Sequence, residues 1–396
     1  MSAKEILNKC LTDFKALKLK KITYNEYYVL YKLNYKKNKY LIKISIISNI
    51  DHEIKDIKEK FNIKHKYLNC FYSVVDTENL IYEKFKDLEY NNGLYKYFGL
   101  TKDCQLIESE EFKDELDEIK DTYGVGIEDN KNKFNENYNI LIFDYHKNKN
   151  IYDLVNKSME LKDILKLISD VLIQIFIQTF YIYQKYPYFI FGDLSYTVQK
   201  SKHKININNQ EFNFDYDLKL NNFELSSIID KDYNKSIICA DYVYLKEDYF
   251  KALFKDGKYK FDENNKNNDK SLFLSSPIAS LCEKEIKKIQ NKDFRKLIVE
   301  IICDYLYFYI SQENKFNDDK LEEIKEYFKN CKLNFISDLI DALYGSFIVN
   351  KKYNINIDIM KSDSYYIDFL YQQITILLYD ELFDIQRVFK DLNLIS

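Results

Sequence analysis

The longest apolar run in the chain, VLIQIFIQTFYIY at residues 171–183, places the strongest constraint on the fold. Apolar residues in an unbroken helical stretch are typical of a helix that is buried inside a protein. The pattern around the run predicts a helix over 160–184, which Pro187 ends because proline cannot continue a helix. The run contains two glutamines and is shorter than a bilayer is thick, so we predict a buried helix and no membrane span.

Segments of β-type sequence lie on the N-terminal side of this helix. YYVLYKLNY (27–35) and KYLIKISI (39–46) are rich in β-branched and aromatic residues, and the short polar stretch between them predicts strand, turn and strand. YNILIFDY (138–145) has the pattern of a buried strand. After the long helix, 204–216 predicts two short strands, followed by LKLNNFEL at 218–225.

Helical spacing of apolar residues recurs elsewhere. Among the N-terminal segments, 77–90 is a predicted helix in which Thr77 is the candidate N-cap. The complete set of further predicted helices is 1–19, 51–66, 283–312, 319–344 and 364–390. Strands therefore dominate the first part of the chain and helices the second, which predicts an α+β chain with two lobes, 1–145 and 146–396.

Composition narrows the classes of function. The formal net charge is −4 with acidic and basic residues interspersed, which argues against a nucleic-acid-binding or anionic-membrane protein. The seven cysteines contain no C-x-x-C and no pair with a histidine at zinc-finger spacing. The N-terminus lacks the pattern of a secretory signal, so we expect a cytoplasmic protein.

Three β-type segments each contain or precede a polar residue that has mainly apolar neighbours. These residues are Lys43 in LIKISI, Asp193 after PYFIF, and Asn222 in LKLNNFEL. A buried lysine is costly unless it is paired with an acid. Simpler explanations stay open for each residue. Lys43 would be a strand-edge lysine that reaches water, Asp193 a turn residue bonded to nearby backbone, and Asn222 a residue in a left-handed turn.

Over roughly residues 20–250 this order of segments resembles the protein-kinase superfamily, and within it the divergent serine/threonine kinases of poxviruses and other large DNA viruses. The resemblance implies a two-lobed fold with a small β-rich N-lobe and a mainly helical C-lobe. It implies that Lys43 and a paired glutamate contact ATP, that Asp193 in a catalytic-loop-like segment (189–199) is the base, and that Asn222 lies at a metal position in a D-F-G-like segment (221–225).

The paired glutamate has two candidates. Glu78 in ENLIY fits an E-x-x-x-Y pattern that resembles the viral kinases, whereas Glu59 lies at the more usual separation from Lys43. We take Glu78 as the first choice and leave Glu59 open.

Several positions depart from the kinase pattern. Phe191 stands at the position of the loop histidine, Val198 at the position of the metal-binding asparagine, and Asn222 at the position of the metal-binding aspartate. No glycine precedes Gly93, so the glycine-rich phosphate loop is missing. Because phosphoryl transfer depends on charge neutralisation by metal ions, the loss of both metal ligands predicts little or no catalysis.

The sequence thus predicts a kinase-like protein that acts as a pseudokinase, by protein binding or regulation. One alternative is a weakly active serine/threonine kinase that transfers phosphate from ATP with Asp193 as base and holds metal through Glu224. Another is an interaction protein with no nucleotide site. The resemblance implies ATP as the cofactor, the missing ligands argue against Mg²⁺, and the expected location is the host cytoplasm or the virion. The expected partner is a protein, either bound or used as substrate.

Overall fold

The computed structural model describes most of the chain. The described residues are 18–24, 28–35, 37–45, 50–105, 137–146, 154, 159–192, 194–240, 247–261, 277–302, 318–337, 339–341 and 383–395. They form both helices and strands.

An antiparallel sheet of five strands is the largest β element, with strand order β1-β2-β3-β6-β5. Its strands are β1 Lys18–Tyr24, β2 Tyr28–Tyr35, β3 Asn38–Ser45, β5 Tyr97–Gln105 and β6 Asn137–Asp144. The predicted strands at 27–35, 39–46 and 138–145 correspond to β2, β3 and β6 within a residue or two. Because β3 is the central strand, its residues are paired on both sides and its side chains are largely buried.

Two helices follow β3 in the chain, α1 Ile50–Phe61 and α2 Val74–Phe85, with the two-residue strand β4 Phe71–Tyr72 between them. The N-cap of α2 is Ser73, whose hydroxyl accepts the backbone N–H of Asp76, and not Thr77 as the sequence predicted. Thr77 lies one turn inside the helix, where its own N–H bonds to the carbonyl of Ser73. The correction follows from Ser73 and Asp76, a serine followed three residues later by an acid, which is a helix-start pattern.

The long helix α3, Leu161–Lys185, confirms the prediction over 160–184. Two of its buried polar side chains, Asp170 and Gln174, bond to the edge of the strand β9 Gln210–Asn221. Asp170 accepts the N–H of Asp215, and Gln174 donates to the carbonyl of Tyr216 while accepting the N–H of Leu218. Gln174, the first glutamine of the apolar run, therefore acts as an edge cap: its side chain satisfies backbone groups at the edge of β9.

Strand β9 pairs with β8, Ser195–Ile207, in one long hairpin. The turn between them is Asn208 and Asn209, both with positive φ (49° and 62°), as the tight hairpin turns that match strand twist require. The sequence predicted two strands only over 204–216. The strands are longer because alternating residues of β9 are buried along most of its length, and β8 pairs with it.

Short strand pairs and further helices complete the described residues. The short pairs are β7 Phe189–Ile190 with β10 Ser227–Ile228, β4 with β11 Ile238–Cys239, and β12 Phe254–Lys255 with β13 Lys258–Tyr259. The helices are α4 Glu247–Leu253, α5 Pro277–Ile302, α6 Asp318–Asn330 and α7 Ile385–Asp391. The predicted helices at 283–312, 319–344 and 364–390 overlap the last three, while 303–317 and 342–382 lie outside the described residues. Of the predicted helix 1–19, residues 18 and 19 belong to β1 and the rest lie outside the described residues.

The chain divides into two compact units, each assembled from separate segments. The first comprises Met1–Lys147, Tyr188–Asp193 and Asn221–Ile286, and the second comprises Asn148–Pro187, Leu194–Leu220 and Lys287–Ser396. The five-stranded sheet and α2 belong to the first unit, and α3 with the long hairpin belongs to the second. The lobe boundary at 145 stays a prediction.

One described helix, α3, is long and apolar enough to cross a membrane by length and composition alone. Its most apolar window is 89% buried within the structure, as in the core helix of a folded protein, so it is weak evidence for a span.

Candidate functional site

Lys43 lies in the middle of the central strand β3. Its backbone is opposite Leu30 on β2 and Leu141 on β6, and the residue is only 5% exposed. A strand-edge lysine that reaches water is therefore the wrong interpretation. A lysine at this depth needs acceptors for its three N–H groups, because leaving the charge unpaired would be strongly unfavourable.

Helix α2 supplies the first acceptor. Glu78 lies in the buried face of this helix, and its Oε2 is 2.6 Å from the Nζ of Lys43. Glu59, the other candidate, lies on an exposed face of α1. The geometry places Glu78, and not Glu59, beside the lysine.

A tight turn after β9 supplies the other two acceptors. Asn222 adopts the left-handed conformation (φ 62°, ψ 55°), which asparagine tolerates better than most residues, and Phe223–Leu225 follow as a single 3-10 turn. This geometry brings the Oδ1 of Asn222 to 3.0 Å and the Oε2 of Glu224 to 2.5 Å from the Nζ of Lys43. The turn interpretation of Asn222 is thus correct, and the same residue also contacts the lysine.

The ammonium group of Lys43 is saturated by these contacts. Its three N–H donors meet three oxygen acceptors, from Glu78, Asn222 and Glu224, and the Nζ also lies 3.8 Å from the ring centre of Tyr28. In this arrangement an incoming phosphate finds no donor left on the lysine.

The charges in this cluster are unequal, since two buried carboxylates share one ammonium. Burial by itself would lower the pKa of Lys43, but the carboxylates of Glu224 and Glu78 outweigh it and hold this pKa above its ordinary value. Burial raises the pKa of Glu78 against the opposing effect of Lys43, and the nearby Glu224 raises it further. The cluster therefore carries excess negative charge when both glutamates are ionised.

An aromatic cluster holds the Asn222–Glu224 turn against α2. The ring of Phe223, which is 1% exposed, meets Tyr82 and Phe85 edge-on at 5.2 Å between ring centres. Phe189 and Phe191 lie on its other side, both at 6.2 Å. Phe191 is thus a packing residue, and apolar contacts fix the turn that carries Glu224.

The backbone at Gly192 packs directly on the same turn. Gly192 has φ +70°, and a Cβ there would lie 2.1 Å from the carbonyl oxygen of Leu225. The hydroxyl of Ser226 donates to the carbonyl of Phe191 at 2.6 Å. The segment that precedes Asp193 and the segment that follows Asn222 are therefore joined at backbone level.

The residues that follow this turn are part of the core of the first unit. Ser226 and Ser227 are fully buried, Ile228 and Ile237 bond to each other in both directions, and β11 pairs with β4. A segment with so many backbone hydrogen bonds and buried side chains is held firmly in one conformation.

The other predicted site residues stand as follows. Asp193 lies outside the described residues, so its role stays a prediction. Val198 is a fully buried residue of β8, and its side chain offers no metal ligand. Among the described residues, no group of three or more histidine, cysteine, aspartate or glutamate side chains has metal-binding geometry. The residues around Lys43 do not fit the phosphates of ATP in this arrangement.

Sequence reasoning brought Lys43, Glu78 and Asn222 to one site but did not identify Glu224 as a partner of the lysine. Glu224 is 181 residues from Lys43 in the chain, and no local pattern connects the two. Tyr28 was also missed. Its place on β2, diagonal to Lys43 on the neighbouring strand, is a signal that strand register could have supplied.

Comparison with known proteins adds little to this description. No protein-family model matches the chain, and no curated protein matches it. The crystal structure of a kinase domain is similar at a TM-score of 0.31 and 12% identity, over 82% of this chain and 90% of that chain. At this TM-score the similarity carries no argument about the fold or the function of this chain.

Proposed function

We propose that the chain is a divergent kinase-like protein that acts as a pseudokinase, by binding or regulating a protein partner. The observation that carries this proposal is the saturation of Lys43 by Glu78, Asn222 and Glu224. A kinase lysine must donate to nucleotide phosphates, and this one has its donors occupied by side chains of its own chain.

The buried segment after Glu224 supports the same proposal. In kinases the corresponding segment switches between conformations and receives the protein substrate. Here Ser226 and Ser227 are inaccessible, and β10 and β11 are paired with other strands. A segment fixed in this way suits a protein that binds a partner better than one that passes through a catalytic cycle. If the resemblance to viral kinases is followed, the partner is a protein of the host cytoplasm or of the virion.

A second candidate is a weakly active serine/threonine kinase with Asp193 as base. The observation in its favour is the ion pair between Lys43 and Glu78 at 2.6 Å, since active kinases require this type of pair.

Phosphate transfer separates the two candidates. The purified chain is incubated with γ-labelled ATP and either Mg²⁺ or Mn²⁺, with itself and general protein substrates as acceptors. We expect no incorporation above that of the Asp193→Ala variant. Incorporation by the native chain that disappears in Asp193→Ala would establish the kinase and overturn the pseudokinase proposal.

A further inference from the structure

The two glutamates that share Lys43 are held in different ways. Glu78 lies in the buried face of the twelve-residue helix α2 and contacts the lysine through its Oε2. Glu224 lies in a three-residue 3-10 turn and contacts the lysine through its Oε2. Either carboxylate can leave the lysine by side-chain rotation, but Glu224 stands on a single 3-10 turn, whose hydrogen bonds are weaker than those of the helix that carries Glu78.

Charge also favours the exchange of one of the two carboxylates. With both carboxylates present, the cluster has one negative charge more than Lys43 can balance. Without the Glu224 carboxylate, Lys43 and Glu78 form a matched pair, and one N–H of the ammonium is free. An incoming phosphate oxygen would accept this N–H, so that one anion replaces another and the number of hydrogen bonds to Lys43 is unchanged.

We propose that Glu224 is a built-in occupant of the anion position on Lys43, and that the chain binds a nucleoside diphosphate only when this carboxylate is displaced. This inference rests on the proposed kinase-like function and names the means by which its site is closed. It explains why a buried lysine with a kinase-like glutamate partner lacks a free donor. In this inference Glu224 blocks the anion position and does not bind a metal ion.

The test is direct binding of ADP in the presence of a chelator, measured by isothermal titration calorimetry. The native chain is compared with Glu224→Ala and Glu224→Gln. We expect Glu224→Ala to bind ADP at least about tenfold more tightly than the native chain, a change that corresponds to ~1.4 kcal/mol. Glu224→Gln should gain less, because its amide oxygen can still accept an N–H of Lys43. Two variants are used because the alanine leaves a small void and the glutamine keeps the shape while removing the charge.

Two control variants connect the gain to this geometry. Glu78→Gln removes the same charge from the same lysine but leaves Glu224 in place, so we expect no gain in ADP binding. In the double variant Glu224→Ala, Lys43→Met the gain of the single variant should disappear, because the freed donor is gone.

Three results would overturn the inference. They are an affinity in both Glu224 variants no higher than that of the native chain, an equal gain in Glu78→Gln, and Mg²⁺-dependent ADP binding by the native chain that Glu224→Ala abolishes. The last would make Glu224 a metal ligand. The proposed function is tested separately by phosphate transfer in the native chain. If Glu224 proves not to block the anion position, the pseudokinase proposal therefore still stands.

Discussion

Lys43 is a buried cation whose surroundings are set by three separate parts of the chain. Strand β3 places it at the centre of the sheet, α2 brings Glu78, and the turn at Asn222 brings Glu224. A buried ion pair contributes little net stability compared with apolar residues of the same size, but losing one partner leaves an uncompensated charge. The cluster is therefore more sensitive to removal of the lysine than to removal of either acid.

The Lys43→Met variant should lose about 3–5 kcal/mol of unfolding free energy, because Glu78 and Glu224 would then face each other without a cation. The matched control is Lys39→Met on the same strand, where the side chain is exposed and the change should stay within ~0.5 kcal/mol. Urea unfolding of the three proteins measures both differences. Equal stability of the two variants would mean that the Lys43 cluster does not form.

The same cluster predicts a dependence on alkaline pH. The pKa of Lys43 is raised in the folded chain above its ordinary value of 10.5, so the unfolded chain loses this proton first as pH rises. The native state then holds more protons than the unfolded state, and the stability contributed by Lys43 falls above pH 10.5.

Buried tyrosines such as Tyr82 also have raised pKa values and lower the stability in the same direction, so the native chain alone is not a clean measure. The stability difference between the native chain and Lys43→Met corrects for the tyrosines, and it should shrink as the pH rises above 10.5. A difference that stays constant across this range would contradict the raised pKa of Lys43.

At the scale of elements, sequence patterns predicted the types of segments better than their ends. Apolar runs are sufficient to identify β2, β3, β6 and α3, because burial of these segments selects their residues. The start of α2 was misplaced because Thr77 and Ser73 are both good cap residues, and only the partner of the cap hydroxyl distinguishes them. The length of the β8–β9 hairpin depends on what covers it, which no local pattern shows.

A substitution of Gln174 tests the hydrogen bonds between α3 and the β8–β9 hairpin. Gln174→Leu should cost about 2–4 kcal/mol, because the carbonyl of Tyr216 and the N–H of Leu218 would both lose their partner in a buried place. Gln184→Leu is the control, since Gln184 is exposed on the same helix and its replacement should change stability by no more than ~0.5 kcal/mol. Thermal unfolding would refute the edge-cap interpretation if the two variants were equally stable.

Gly192 tests the contact between two loop segments of the first unit. Gly192→Ala should cost more than the ~1–2 kcal/mol of a left-handed non-glycine residue, because its Cβ would also meet the backbone of Leu225. Ser226→Ala removes only the hydrogen bond to Phe191 and should cost about 1–3 kcal/mol, the penalty for an unsatisfied buried carbonyl. Chemical unfolding should show a larger loss in Gly192→Ala than in Ser226→Ala, and the reverse order would contradict the close approach at Leu225.

At the scale of the whole chain, the order of segments allowed the sequence to predict a mixed α and β protein and to bring Lys43, Glu78 and Asn222 together. It could not predict that Glu224 would bond to the lysine, since that contact depends on the left-handed turn at Asn222 and on packing around Phe223. Nor could it predict the burial of Ser226 and the residues after it. Pairings between distant segments arise from tertiary packing, which leaves no period in the sequence.

The distribution of stability along the chain gives the last prediction. If the segment after Glu224 is core, then the amides of Ile228, Ile237 and Ala240 should be protected from hydrogen exchange, because each donates to a backbone carbonyl in a buried place. Their protection should approach that of Ile142 on the central part of β6, while the exposed residue Asn234 at the tip of the segment should exchange much faster.

Native-state hydrogen exchange with residue-level detection measures all of these amides in one experiment, so the protein provides its own internal controls. A switching segment of the kind that active kinases use would open locally at low free energy, and its amides would exchange together and fast. Uniform fast exchange over 226–240 would therefore contradict the fixed segment and remove one support of the pseudokinase proposal. Slow exchange in the strands with fast exchange at the tip would agree with a segment that is held in one conformation by β4, β7 and the turn at Glu224.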